Sequence, residues 1–186
     1  MDVILHEIEK FTDQAHGSQT RKYSPDRYIV HPMRVMRICE GYTQATPVLA
    51  AAILHDVLED TPIHKNELAR FLHGIMAPRE AERTMHLVVE LTDVFTKQAY
   101  PTWNRRKRKA AEAKRIAANS PEAQTIKYAD ILDNCMGISG HDADFAPVFL
   151  HECRQLLNMM DKGDAALKKR AESVIAEELN ALSKKR

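Results

Sequence analysis

Residues 46–61 read TPVLAAAILHDVLEDT, and this stretch predicts the type of fold. Ala and Leu are strong helix formers, and Thr46 followed by Pro47 offers an N-cap and a proline at the first helical position. We therefore expect a helix over about 47–59. Its C-terminal end carries four potential metal ligands or proton carriers, which are His55, Asp56, Glu59 and Asp60.

This polar group is unfavourable unless a cation compensates it. At about 100° per residue, the four side chains lie within roughly 140° on one helix face. Three carboxylates repel one another, and the helix macrodipole disfavours negative charge at a C-terminus. A divalent metal ion is therefore the obvious candidate for compensation.

The rest of the chain predicts an all-α fold. Six glycines in 186 residues, few β-branched runs and repeated spacing of three or four between apolar residues all favour helices. Ser120 followed by Pro121 marks one helix start. We expect about eight to nine helices, at about 2–16, 29–40, 47–59, 64–73, 79–92, 103–118, 121–137, 145–160 and 164–182.

The composition favours one cytoplasmic domain over residues 1–186. Hydrophobic residues make up 44% and charged residues 28%, as in ordinary globular proteins. A formal net charge of +1 and an aromatic content of 6% argue against nucleic acid or a membrane as partner. Three widely spaced cysteines indicate buried apolar side chains and no disulfide framework, namely Cys39, Cys135 and Cys153.

Three further motifs accompany the acidic stretch. Residues 15–32 read AHGSQTRKYSPDRYIVHP, residues 91–109 read LTDVFTKQAYPTWNRRKRK, and residues 126–134 read IKYADILDN. Together the four resemble the HD-domain metal-dependent phosphohydrolases, and among them the (p)ppGpp hydrolases of RelA/SpoT proteins and the small alarmone hydrolases. The resemblance covers about residues 15–137, with C-terminal helices following at about 145–182. It implies an HD-domain helical bundle.

The resemblance also implies a metal site and its catalytic neighbours. The ligands are His31, His55, Asp56 and Asp130, and the implied metal is Mn²⁺. Two imidazoles and two carboxylates also suit Fe²⁺, Co²⁺ or Zn²⁺. Glu59 and Asp60 match the family's pair that positions and deprotonates the attacking water.

The expected substrate is a nucleotide, whose phosphates need cationic donors. The resemblance assigns these contacts to Arg21, Lys22, Tyr28, Asn134, Arg106 and Lys109. The remainder of the basic run at 104–109 is expected to be a solvated helix face.

Two departures from the family concern substrate choice. The family commonly carries a TDDKxLPKxxRK-like segment where this chain reads TDVFTKQAYPTWNRRKRK, and Ile131 stands where the alarmone hydrolases usually have Arg. Trp103 in this segment is expected to be core or a platform for a base.

We therefore expect a (p)ppGpp 3′-pyrophosphohydrolase that acts on a small-molecule nucleotide. Two alternatives stay open. One is an HD phosphohydrolase of another nucleotide, such as the 2′-phosphate of NADPH, a nucleoside phosphate or a cyclic nucleotide. The other is a nucleotide-binding sensor without turnover, although a sensor has no need of Glu59 and Asp60 as proton acceptors.

Overall fold

The computed structural model describes residues 2–21 and 25–184, and the regular structure in these ranges is helical. Nine helices have nine or more residues and two have four, and a single isolated β-bridge joins Thr20 and Arg27. The predicted all-α fold is confirmed. The helices are α1 (Val3–His16), α2 (Val30–Glu40), α3 (Thr46–Leu54), α4 (Val57–Asp60), α5 (Lys65–Ile75), α6 (Pro78–Leu91), α7 (Arg105–Ala118), α8 (Pro121–Cys135), α9 (Ile138–His141), α10 (Ala146–Met159) and α11 (Ala165–Lys184).

The chain divides into two compact units, Met1–Thr92 and Asp93–Arg186. The first contains α1 to α6 and the second contains α7 to α11. A single domain over the whole chain stays a prediction. Within the described ranges, no helix combines the length and the apolar character needed to cross a membrane.

Helix α3 is the core of the first unit. Every residue from Pro47 to Leu54 is buried, and the helix packs against α1, α2 and α6. A helix that is apolar on all sides is stable only when other elements enclose it. The residues that follow α3 therefore begin inside the protein and not on its surface.

The single helix predicted over 47–59 is wrong in detail, because the structure divides it at His55 and Asp56. Asp56 has φ −99° and ψ −6°, which lies in the bridge region outside regular helical values. The one-helix estimate of side-chain directions therefore does not hold. The predicted Thr46 cap is also wrong, because α3 begins at Thr46 and its start has no side-chain cap.

Helix α8 has the same central role in the second unit. Eleven of its fifteen residues are buried, and it packs against α10 and α11. The predicted start is confirmed, since the Ser120 Oγ accepts a hydrogen bond from the Ala123 N–H at 3.3 Å. The segment predicted as a loop over 138–144 instead contains α9, and Glu178 accepts hydrogen bonds from the N–H groups of Gly137 and Ser139 at its start.

The three cysteines are buried and form no disulfide, as predicted. The thiols of Cys135 and Cys153 share a hydrogen bond. This bond, together with burial, raises the pKa of the Cys135 thiol. Cys135 therefore stays a neutral part of the core.

Gly163 allows the chain before α11 to pack closely on α8. A Cβ atom at this position would lie 2.5 Å from Tyr128 Cε2 and 2.8 Å from the Thr125 backbone nitrogen. The same approach lets the Asp164 N–H donate to Thr125 Oγ1 at 2.9 Å and the Lys162 N–H donate to Gln124 Oε1 at 2.9 Å. Only glycine fits without moving the backbone.

We predict that Gly163→Ala lowers the free energy of unfolding by about 1–3 kcal/mol, since a methyl group must displace α8 or the segment. Gly140→Ala is the matched control, because nothing lies within 4 Å of its added Cβ. That change is expected to be neutral or stabilising by up to about 1 kcal/mol. Urea unfolding of both variants checks this, and equal stabilities would contradict the packing argument.

Candidate metal centre and active site

Three predicted ligands from the first unit meet at one point. The ligand atoms of His31, His55 and Asp56 all lie within 4.8 Å of one another. The His55 Nε2 atom is 3.1 Å from Asp56 Oδ2, and the His31 Nε2 atom is 3.7 Å from the same oxygen. Atoms bound to one ion at about 2.0–2.2 Å stand roughly 3.0–3.5 Å apart. The cluster therefore has the dimensions of a metal centre.

Burial and backbone hold the two imidazoles in place. His31 is 1% exposed and His55 is 3% exposed, and their rings pack edge to face with centroids 5.1 Å apart. The His55 Nδ1 lies 2.8 Å from the Ala52 carbonyl oxygen. A carbonyl can only accept, so Nδ1 carries the proton and Nε2 presents its lone pair to the cluster. Histidine ligands of metal ions show this arrangement, so the donor set fits a divalent metal.

Tyr28 connects the metal centre to the acidic pair. Its hydroxyl lies 2.6 Å from Asp56 Oδ2 and 3.1 Å from Asp60 Oδ2. Burial of the ring, and then the negative charges of Asp56 and Asp60, raise the pKa of the Tyr28 phenol. The phenol therefore stays protonated and bridges the two carboxylates.

The acidic pair lies on α4. Glu59 and Asp60 are both exposed, one turn beyond the metal centre. Partial desolvation and the negative charge of Asp56 raise the pKa of the Asp60 carboxyl. A carboxylate with a raised pKa is a better proton acceptor near neutral pH than an ordinary one.

A closed loop follows α1 and ends at Tyr28. The Tyr28 N–H donates to the Gln19 carbonyl at 2.9 Å, and the Arg21 N–H donates to the Asp26 carbonyl at 3.0 Å. Arg27 pairs with Asp13 of α1 at 2.9 Å. Arg21 is half-buried in this loop, and Lys22, the other predicted phosphate contact, lies outside the described residues.

The fourth predicted ligand, Asp130, lies on α8 of the second unit and is 7% exposed. Its Oδ2 accepts from Lys127 Nζ at 2.7 Å, and its Oδ1 accepts from Asn134 Nδ2 at 2.6 Å. These residues are three and four positions away on one helix, where side chains share a face. Asn134 was predicted from the resemblance as a substrate contact, and the structure gives it this contact to Asp130.

The basic run on α7 is largely engaged within the second unit. Arg105 pairs with Glu152 at 2.6 Å, and Lys109 lies 3.4 Å from Asp93 Oδ2. Arg108 donates to the Trp103 carbonyl, and the Lys107 ammonium lies 4.1 Å from the centre of the Trp103 ring. Of the two predicted substrate contacts, Lys109 thus has an acidic neighbour, and Arg106 is exposed.

The backbone of the segment before α7 is held by a buried carboxylate. Glu112 is 3% exposed, and its Oε2 accepts from the N–H groups of Val94 and Phe95 at 3.0 and 2.9 Å. Phe95 stacks on Trp103 with centroids 5.8 Å apart and planes 9° from parallel, and Tyr100 packs on Trp103 at 4.7 Å. Trp103 is half-buried in this local aromatic cluster, and whether it also serves as a platform for a base stays a prediction.

The comparison with known families decides the identity. The HD domain model matches residues 28–135, which include His31, His55, Asp56 and Asp130. The chain belongs to the HD-domain family. This confirms the family inferred from the four motifs.

The HD-domain relatives carry names from (p)ppGpp metabolism. The guanosine-3′,5′-bis(diphosphate) 3′-pyrophosphohydrolase MESH1 of Xenopus tropicalis is 33% identical over 70% of this chain and 67% of its own length. The bifunctional (p)ppGpp synthase/hydrolase RelA of Mycobacterium tuberculosis is 45% identical over 31% of this chain and 8% of its own. The chain thus spans less than a tenth of the length of the first curated relatives it matches.

A solved structure shares the HD-domain fold. It is described as a metazoan orthologue of SpoT that hydrolyses ppGpp and plays a role in starvation responses. The TM-score is 0.79 with 22% identity, over 95% of this chain and 96% of that one. This likeness supports the fold.

Three residues that contact a predicted site residue or one of the four motifs have no assigned role in the sequence prediction. They are His16, which stacks on Tyr28, Lys127, which pairs with Asp130, and Glu112, which orders residues 94 and 95. Lys127 was detectable, because it lies three positions before Asp130 on a predicted helix. The roles of His16 and Glu112 depend on contacts across a loop, which helix periodicity does not predict.

We predict that His55→Ala weakens Mn²⁺ binding by at least about 100-fold, since a direct ligand should matter more than a supporting residue, whose loss costs about 10–100-fold. His73→Ala on α5 is the control, because His73 is exposed and outside the cluster. Titration calorimetry measures both affinities. Unchanged Mn²⁺ affinity in His55→Ala would remove His55 from the site.

Proposed function

We propose that this HD-domain protein is a metal-dependent 3′-pyrophosphohydrolase of (p)ppGpp. The observation that carries the proposal is the cluster of His31, His55 and Asp56, with the His55 lone pair directed to the cluster by Ala52. The acidic pair of α4 lies beside it, joined through Tyr28. The relatives named above as (p)ppGpp hydrolases supply the substrate class.

The donor set supports a divalent transition metal. Imidazole and carboxylate groups suit Mn²⁺, Fe²⁺, Co²⁺ and Zn²⁺, and the family resemblance favours Mn²⁺. When bound, such an ion supplies a Lewis acid that stabilises negative charge on a phosphate and favours deprotonation of water. Asp130 stays the fourth ligand predicted from the sequence.

The protein's own groups handle the proton. In the proposed reaction, a water oxygen forms a bond to the phosphorus attached at the 3′ oxygen, and the bond from that phosphorus to the 3′ oxygen breaks. The 3′ oxygen keeps the bonding electrons and takes up a proton from solvent, so the products are pyrophosphate and a nucleotide with a free 3′-hydroxyl. The proton lost by the water passes to the Glu59 and Asp60 pair, of which Asp60 accepts a hydrogen bond from the Tyr28 hydroxyl. The raised pKa of Asp60 suits it to accept that proton.

Binding of the nucleotide is proposed to use cations from the motifs. Arg21 and Lys22 are the proposed contacts to phosphate in the first unit, with Tyr28 beside them. Arg106, Lys109 and Asn134 are the proposed contacts in the second unit. The nucleotide is a small molecule, and the proposal includes neither nucleic acid nor membrane as partner and keeps the cytoplasmic location expected from the sequence.

One observation favours a second candidate, another nucleotide. Phe95, Tyr100 and Trp103 form an aromatic cluster within residues 93–104, where the family commonly has a TDDKxLPKxxRK-like segment. Substrate specificity depends on such contacts and not on the metal ligands. In this second candidate function, the same metal-dependent hydrolysis acts on a nucleotide other than (p)ppGpp.

We predict that the protein releases pyrophosphate from ppGpp and pppGpp with Mn²⁺, and that EDTA abolishes release. The panel for the assay also contains NADPH, nucleoside triphosphates and a cyclic dinucleotide. Metal-dependent cleavage of another nucleotide in the panel, without ppGpp turnover, would change the proposed substrate and retain the proposed metal-dependent hydrolysis. Tight binding of ppGpp with no turnover would favour the sensor.

We predict that Glu59→Gln lowers kcat about 10²–10⁴-fold, because the amide cannot accept the proton. Mn²⁺ affinity should stay within about threefold, since Glu59 is outside the three-residue cluster. Glu67→Gln on α5 is the control, as it changes an exposed acid in the same unit. Full activity of Glu59→Gln would remove the assigned role.

A further inference from the structure

His16, the last residue of α1, is a buried histidine with an unusual environment. It is 7% exposed, and its Nδ1 lies 2.9 Å from Gln19 Oε1. Its Nε2 is buried and makes no hydrogen bond in the described part of the chain. Leaving a buried nitrogen unpaired lowers stability, so its presence calls for an explanation.

The His16 ring lies directly on Tyr28. The two centroids are 4.4 Å apart and the planes differ by 24°. The opposite end of Tyr28 is the hydroxyl that contacts both Asp56 and Asp60. His16 thus touches a side chain that joins the candidate metal centre to the acidic pair.

The surrounding backbone fixes both rings of this stack. Gly17, with φ +56°, ends α1 and turns the chain, and the Gln19 N–H donates to the His16 carbonyl at 3.0 Å. The Tyr28 N–H donates to the Gln19 carbonyl at 2.9 Å. Gln19 therefore holds the imidazole through its side chain and the Tyr28 backbone through its carbonyl.

We propose that His16 is a positioning residue of the active site that acts through Tyr28. Its ring, oriented by Gln19, holds the Tyr28 ring in the plane from which the hydroxyl bridges Asp56 and Asp60. This inference rests on the proposed function for its effect on turnover. Its effect on metal binding follows from the Asp56 contact alone.

The unpaired nitrogen distinguishes this role from simple packing. A phenylalanine would stack on Tyr28 without burying an unpaired nitrogen, but it would lose the bond to Gln19 that sets the ring orientation. Replacing a residue kept for packing lowers stability, whereas replacing one kept for function can raise it. Stability and activity of His16→Phe should therefore change in opposite directions.

The experiment is a double-mutant cycle with His16→Phe, Tyr28→Phe and the double variant. We expect His16→Phe to raise the thermal midpoint, because the variant no longer buries an unpaired nitrogen. A rise of about 2–4 °C is usual for a modest gain in stability in a chain of this length. We expect it to weaken Mn²⁺ binding about fivefold and to lower kcat about tenfold, with KM within about threefold. In the Tyr28→Phe background, the same change should alter Mn²⁺ affinity and kcat less than twofold.

Thr12→Val is the matched control. Thr12 is a second buried residue of α1 whose hydroxyl makes no hydrogen bond in the described ranges. The Thr12→Val variant should gain stability and keep the parent Mn²⁺ affinity and kcat. The proposal would be overturned if His16→Phe lowered Mn²⁺ affinity and kcat equally in the parent and in the Tyr28→Phe background. It would also be overturned if His16→Phe kept the parent Mn²⁺ affinity and kcat. A parent protein that binds Mn²⁺ without cleaving ppGpp would reject the proposed function, and the affinity cycle would still decide the role of His16.

Discussion

Enclosure of α3 is the constraint on which the rest of the first unit depends. Eight consecutive buried residues from Pro47 to Leu54 can be accommodated only in the interior, so the chain leaves this helix inside the protein. The next two residues are His55 and Asp56. A polar pair that starts from a buried helix end must find partners there, and the Ala52 carbonyl and Tyr28 provide them.

The contacts of the site form a connected series. Ala52 fixes the proton on His55, His55 and His31 face Asp56, and Tyr28 joins Asp56 to Asp60. Each contact orients the next group, so little reorganisation is needed when charge develops in the proposed reaction. The short break between α3 and α4 makes this possible, because one continuous helix would direct His55 and Asp56 about 100° apart.

The second unit follows a different principle, since its distinctive segment depends on a buried charge. Glu112 binds two backbone N–H groups and pairs with Arg115, which satisfies a carboxylate that is almost fully enclosed. Phe95, Tyr100 and Trp103 pack on one another in the same segment. This segment departs from the family pattern while the metal ligands do not, so substrate choice and metal chemistry are separate questions here.

The sequence by itself determined the helical fold, the family and the residues His31, His55 and Asp56. Apolar spacing and capping residues act over a few positions, and the motifs keep a fixed order along the chain. The tertiary structure decided where the acidic helix breaks, which His55 nitrogen faces the cluster, and that His16 supports Tyr28. Those features depend on contacts between residues that are distant in sequence, or on the local hydrogen bond from His55 to the Ala52 carbonyl, and neither leaves a periodic pattern.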